Sequence, residues 1–270
     1  MQREAGRLDF LPMNTPRQTP QHRGRPGPRT GVRVMNVALA ALCLAPAAAN
    51  SQSLDPSCGN PFVNGFGPHD YRVETGHNRK IVEDYHFTPR VETLVSGVSG
   101  SLGGDIDYTL RAFPNHHRAL VAVMRLGSRA KRPVPPGAQF TVECYFKRAL
   151  VFRPDDVVVR MIYANYLGNN GRKPEAIREL EVVERQSIDN AFTQFNVGLI
   201  YFELGEFDKA VAQAHRAQAM GFERDDLKRQ LVEAGKWSDV PPTVTLSAPV
   251  NGDKTESAAA GASAASGSDR

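Results

Sequence analysis

Five histidines, His69, His77, His86, His116 and His117, share one stretch of the chain with Asp70, Glu83 and Asp84. Imidazoles and carboxylates build metal centres and acid–base catalysts, so any chemistry would be sought here first. A metal site needs ligands converging from defined offsets, such as i and i+4 on one helix, and none of these pairs has that spacing. They read as solvated loop histidines. Gly100-Ser101-Leu102-Gly103-Gly104 precedes a helix but has neither the lysine nor the spacing of a phosphate loop; Gly103-Gly104 could at most hold an anion on free N–H groups. Asp105 and Asp107 read as first-turn carboxylates that complement a helix dipole. There is no nucleophile elbow and no zinc-protease helix. No residue is therefore assigned a catalytic, metal-binding or cofactor-binding role, and the chain is expected not to be an enzyme.

The cysteines are Cys43, Cys58 and Cys144. Cys43 lies in an apolar run that reads as an export signal, which would leave Cys58 and Cys144 to pair in an oxidising compartment. That bridge would close a loop of about 86 residues, contribute about 4–5 kcal/mol in the chain-entropy account, and tie an irregular segment to a helix. The alternative is a buried, apolar Cys144 and an incidental loop thiol at Cys58. Without a C-x-x-C, a redox role is not expected.

The export reading rests on the leader. Residues 1–49 carry seven arginines against Glu4 and Asp9, leaving 26 basic and 27 acidic side chains beyond, so the net charge of +4 belongs to the leader. With no basic stripe interleaved with aromatics elsewhere, nucleic-acid binding is not expected. Val34 to Pro46 is apolar, Arg33 precedes it and Ala47-Ala48-Ala49 follows, a secretory pattern with cleavage after Ala49. The run is short for a bilayer, so the mature chain is expected to be periplasmic or secreted, with no stable membrane span. A transit peptide and an uncleaved inner-membrane anchor are the alternatives. Leu42 before Cys43 argues against lipid attachment.

The elements that would position any site come from a repeat. Shifting Val157–Arg224 by 34 residues lays Ala164 on Gly198, Gly171 on Gly205, Ala176 on Ala210 and Val183 on Ala217. Units of this length stack because none buries its apolar face alone. Asn196-Val197-Gly198, Tyr201, Gly205, Phe207 and Ala210-Val211 resemble the tetratricopeptide repeat. The resemblance implies an all-α fold, a helix-turn-helix solenoid of about three tetratricopeptide-like repeats with a capping helix and an irregular N-terminal segment. The expected organisation is a leader at 1–49, the irregular segment at 50–104 and a repeat domain at 105–237. Within that domain the repeats span 117–156, 157–190 and 191–224, the cap spans 225–237, and a disordered tail follows at 238–270.

In the irregular segment, Thr88-Pro89 starts a short helix with Val91, Leu94, Val95 and Val98 on one face, whereas Tyr71-Arg72-Val73 and Ile81-Val82 could be short extended pieces. Asp105 can cap a helix that ends at Phe113-Pro114-Asn115, and the ending returns at Phe152-Arg153-Pro154-Asp155, forty residues on. The six surplus residues fall at Gly127–Gly137, an enlarged loop with Arg129, Lys131, Arg132 and three prolines, between helices at His117–Leu126 and Ala138–Phe152. Such a loop is either functional or a tolerated insertion. Lys173, Ile188 and Phe222 depart from the family's pattern.

The resemblance also implies where a partner would lie. The inner wall of such an array is lined by the first helix of each repeat, here Val158, Met161, Asn165 and Asn169, then Phe192, Phe195, Leu199, Phe202 and Glu203. A protein or peptide, a second copy of the chain included, would dock on these phenylalanines. Otherwise the chain's own segment 58–100 would fill the groove as core. The expected function is that of a cell-envelope binding scaffold; the alternative is an exported enzyme or ligand-binding protein whose repeats are only a structural or oligomerisation module.

Overall fold

A computed structural model describes residues 54–242. The leader and all but the first five residues of the expected tail lie outside the described residues. Those described are all-helical, with a 3-10 turn at Pro56–Cys58, ten α-helices and no strand. In chain order the helices are α1 (His77–His86), α2 (Pro89–Glu92), α3 (Leu102–Ala112), α4 (His117–Ala130), α5 (Val142–Phe152), α6 (Val157–Asn169), α7 (Lys173–Gln186), α8 (Ala191–Glu203), α9 (Phe207–Ala219) and α10 (Asp226–Glu233). None is long and apolar enough to cross a membrane.

Local chemistry explains where the helices begin. Ser101 Oγ accepts from Gly104 N at 3.1 Å, Thr141 Oγ1 from Cys144 N at 3.1 Å, and Asn190 Oδ1 from Thr193 N at 2.9 Å. Asp156 Oδ1 accepts from Val158 N and Val159 N, both at 3.2 Å, and His116 Nδ1 from Ala119 N at 3.2 Å. Each such cap contributes about 1 kcal/mol. Three of these caps end a recurring turn, in which His116 N donates to Phe113 O, Asp156 N to Arg153 O and Asn190 N to Ser187 O, at 3.0, 3.1 and 3.0 Å. The same turn thus opens α4, α6 and α8, although Ile188 replaces the proline of the two earlier copies.

α6 packs along α7, and α8 along α9. Their turns need a left-handed residue, supplied by Gly171 at φ 75° and Gly205 at φ 72°. At the α8–α9 crossing, a Cβ on Gly198 would stand 3.1 Å from Gln213 Cβ and 2.5 Å from Leu227 Cδ2 of α10. Ala164, Ala176, Tyr201 and Ala210 are fully buried, and Phe207 is half-buried. The residues that carry the repeat therefore sit in its seams, and α10 covers α8 and α9 with Leu227 and Leu231 inward.

α4 meets α5 far less extensively, and the reason lies in the linker between them. α4 runs to Ala130, past the expected end at Leu126, and stops at Lys131 in the left-handed region at φ 52°. α5 begins at Val142 rather than Ala138. The proline-rich connection docks on α3: Gln139 N donates to Asp107 Oδ1 at 3.3 Å, and a Cβ on Gly103 would stand 2.1 Å from Pro136 O and 3.0 Å from Ala138 N. Within the connection Pro135 is buried, while Lys131 to Val134, Pro136 and Gly137 stay exposed. Gly103→Ala is accordingly expected to cost about 2–3 kcal/mol, because stiff backbone rather than a side-chain end must move. Gly65→Ala, with nothing within 4 Å, is the neutral control in the same thermal melts.

The N-terminal segment departs most from expectation. Ile81-Val82 belongs to a helix, α1, whose buried face is little more than Val82. The helix at Thr88-Pro89 ends at Glu92; Leu94 turns left-handed at φ 58° and is buried with Val91, while Val95 and Val98 are exposed, so the four share no face. Asp105 does not cap α3. It is buried and accepts from Val98 N at 2.7 Å and Ser99 N at 3.2 Å, pinning the preceding loop. Tyr71 and Val82 pack with Ala112 and Phe113 into a small core of their own. Cys58 and Cys144 lie at bonding distance, 2.05 Å, so the pairing joins the first turn of this segment to α5. Arg148, one helical turn beyond Cys144, is buried and donates to the carbonyl of Cys58 at 2.8 Å.

Candidate binding surface

The histidines resolve first. Only His77 is exposed as expected. His116 is completely buried, stacked on Tyr71 at 4.0 Å with Phe87 edge-on at 4.7 Å. Because Nδ1 accepts from Ala119 N, the proton sits on Nε2, which donates to Glu83 Oε1 at 3.2 Å. Burial drives its pKa down to about 4, against the opposing pull of Glu83. His117 Nε2 meets Asp156 Oδ2 at 2.9 Å, and His86 Nδ1 meets Asp105 Oδ1 at 3.0 Å. Asn115 Nδ2 donates to both Asp70 and Asp156, at 2.7 and 2.9 Å. Burial works to raise the pKa of Asp156, but His117 and Asn115 outweigh it and hold the carboxylate below its usual range. The reading as solvated loops is overturned for four of the five: His86, His116 and His117 brace the starts of α3, α4 and α6, and His69 packs its ring against Phe113 at the end of α3. Among the described residues no group of three or more His, Cys, Asp or Glu is placed to hold a metal.

The expected partner-binding residues lie on α6 and α8, which touch. A hydrogen-bonded row joins them: Asn169 Nδ2 donates to Asn165 Oδ1 at 3.1 Å, and Asn165 Nδ2 donates to Glu203 Oε2 at 3.1 Å. The direction is set by Glu203, whose carboxylate accepts, so Asn165 turns its amide nitrogen to it and its oxygen to Asn169. Met161 is buried beneath, and Val158 is half-buried. Leu199, Phe192 and Phe202 are half-buried beside the row, while Asn169 and Glu203 are exposed.

The phenylalanines are covered differently from expectation. Phe195 is buried, with Phe222 against it at 5.0 Å and the Arg224 guanidinium over its ring at 5.1 Å. Phe222 also meets Phe192 at 6.1 Å, and Phe207 meets Phe202 at 5.6 Å. The cover of Phe192 and Phe195 is thus the connection after α9, which supplies Phe222 at a place where the repeat pattern would have proline, and that of Phe202 is the first residue of α9. Segment 58–100 packs elsewhere: α1 on α3, α2 on α3 and α4, and the first turn on α5.

Glu203 has no ion-pair partner among the described residues. Its residue as a whole is exposed, yet its carboxyl is pressed against Asn165, and loss of water raises its pKa to about 7 despite that bond. The unfolded value is near 4.5, so the folded chain holds the extra proton between these limits. This group's contribution to stability is therefore complete below pH 4.5 and lost as pH rises through 7. Glu203→Gln, which keeps an acceptor for Asn165, is expected to raise Tm at pH 8 and leave it nearly unchanged at pH 4; equal shifts at both would refute the assignment.

Two exposed residues that sequence reasoning left unassigned belong to the same register. Counting from the caps His116, Asp156 and Asn190, the thirteenth residues of α4, α6 and α8 are Arg129, Asn169 and Glu203, and the ninth are Arg125, Asn165 and Leu199. The forty-residue offset of the first unit obscured this match. Comparison with protein-family models, with curated proteins and with solved structures finds no match to the chain.

Proposed function

We propose that the chain is a non-enzymatic binding scaffold of the cell envelope, built as a solenoid of about three tetratricopeptide-like repeats and holding an extended protein segment across α6 and α8. The observation that carries this reading is the row Asn169–Asn165–Glu203 beside half-buried Leu199, Phe192 and Phe202. Asn165 is buried with both its amide groups spent in the row, but it holds the exposed Asn169 amide, whose remaining groups suit a peptide backbone, while apolar neighbours offer shallow anchorage for its side chains. The shared opening turns of α4, α6 and α8 and the glycines at 171 and 205 support the repeat assignment. The Cys58–Cys144 pair supports an oxidising compartment, and hence export.

Display selection of short random peptides against the full-length chain tests the proposal. Enriched peptides should lose at least about tenfold in affinity to Asn169→Ala and to Phe202→Ala, where exposed or half-buried side chains are removed. The same peptides should bind Val232→Ala, on α10, as they bind the parent. Peptides indifferent to both substitutions on α6 and α8 would overturn it.

A further inference from the structure

Charge is unevenly placed along this face, and its distribution constrains the partner. On α4, Arg125 and Arg129 are exposed, and the chain continues into exposed Lys131 and Arg132. Among the described residues no carboxylate pairs with any of these four; Arg129 Nη1 donates only to the carbonyl of Leu94, at 2.9 Å, which leaves its charge uncompensated. Arg118, nearer the start of α4, is different, since Glu92 and Glu83 hold it. On α6 the equivalent positions are the neutral amides Asn165 and Asn169. On α8 the thirteenth position is Glu203, an acid without a cation. α6 touches both α4 and α8, and the starts of α4 and α6 are locked side by side through His117 and Asp156. One register therefore runs from unpaired cations, through amides, to an acid with no cation beside it.

We infer that this face selects an extended segment with carboxylates at one end and a cationic side chain at the other, the acidic end over α4 and the basic end over Glu203. The inference rests on the preceding reading of the face as a peptide site and adds the chemistry of its occupant. Adjacent helices stand ~9 Å apart, so the two steps from α4 to α8 span ~18 Å. An extended chain rises ~3.3 Å per residue, which places the two charge groups about six residues apart. Like charge at either end would meet repulsion, so the same arrangement rejects uniformly acidic and uniformly basic segments.

The test uses fluorescein-labelled peptides of about ten residues with a common Val/Ser/Ala framework and the full-length chain, read by fluorescence anisotropy. One peptide carries two aspartates and two lysines separated by about six residues. A second has the same composition with the charges alternating, a third is neutral, and a fourth and fifth are uniformly acidic and uniformly basic. Exposed pairs contribute modestly one by one, so the segregated peptide should bind about five- to tenfold tighter than the alternating one, and the margin should shrink with added salt. Glu203→Lys should move the preference to the acidic peptide, and Arg125→Glu with Arg129→Glu to the basic one. Equal affinity for segregated, alternating and neutral peptides would overturn the charge selection while leaving peptide binding in place. Failure of every peptide to bind would overturn both readings.

Discussion

Replacing both Cys58 and Cys144 by serine is expected to lower the unfolding free energy by about 4–5 kcal/mol, a large fraction of a typical domain's margin. The cystine joins positions 86 residues apart, so its loss releases a long loop in the unfolded chain. The folded state has few substitutes at that end. Beyond the bridge, the first turn is held to α5 by the Arg148 bond to the carbonyl of Cys58 and by Phe62 against Phe152 at 5.8 Å, with Phe62 itself exposed. Urea unfolding of the two proteins measures the loss. Hydrogen exchange adds where it falls: amides of α6 to α9 should keep their relative protection, while those of residues 54–66 lose theirs. Arg148 makes the serine protein informative, because its buried guanidinium then depends on that carbonyl and on the Phe140 ring at 4.6 Å. A change below about 1 kcal/mol would show that the bridge constrains little that packing does not already fix.

What could be read from the sequence follows from the distance over which each interaction acts. The hairpins α6–α7 and α8–α9 are written in nearest-neighbour terms: a small residue where helices cross, a glycine where the turn is left-handed, a capping side chain before each first helix. Such features repeat with the chain and survive the change from Pro154 to Ile188. The N-terminal segment is held by partners far away in sequence. Tyr71 N bonds to Asn115 across 44 residues, and His116 bonds to Glu83 across 33. α1 carries one fully buried side chain, too few to mark a helical face, so Ile81-Val82 reads as no more than a short extended piece. Four of the five histidines depart from the solvated reading for the same reason, since solvent or a folded neighbour is the alternative environment and only the tertiary fold decides. At the candidate site, Asn165, Asn169 and Glu203 were found through the repeat register. Arg125 and Arg129 were missed because the first unit is longer, and Phe222 because a departure from pattern gave no hint that it turns back over Phe195.

The strut with the largest effect is His116, and its titration gives the second large prediction. In the unfolded chain the imidazole takes up a proton near pH 6.5, whereas burial between Tyr71 and Phe87 holds the folded value at about 4. The unfolded state therefore binds more protons between these limits. The contribution of His116 is complete above pH 6.5 and is lost as pH falls to 4, a loss of about 3 kcal/mol. Its titratable and charged neighbours are Glu83, Arg118 and His117. Burial tends to raise the pKa of Glu83, but His116 and Arg79 outweigh it and hold the carboxylate down to about 2, so its own contribution fades only below pH 4.5 and leaves the interval above free. His116→Asn separates capping from titration: asparagine caps α8 at the equivalent position, yet it neither stacks on Tyr71 nor titrates. The variant is expected to be less stable by about 2–4 kcal/mol at pH 7, from the vacated aromatic contacts. Between pH 6.5 and 4.5 the parent should also lose about 2 kcal/mol relative to the variant, since this ring titrates only in the parent while the opposing gain from Glu203 is common to both. Parallel curves for the two proteins in urea unfolding across that range would show that the buried ring is not what titrates, and that the N-terminal segment is held against acid by other groups.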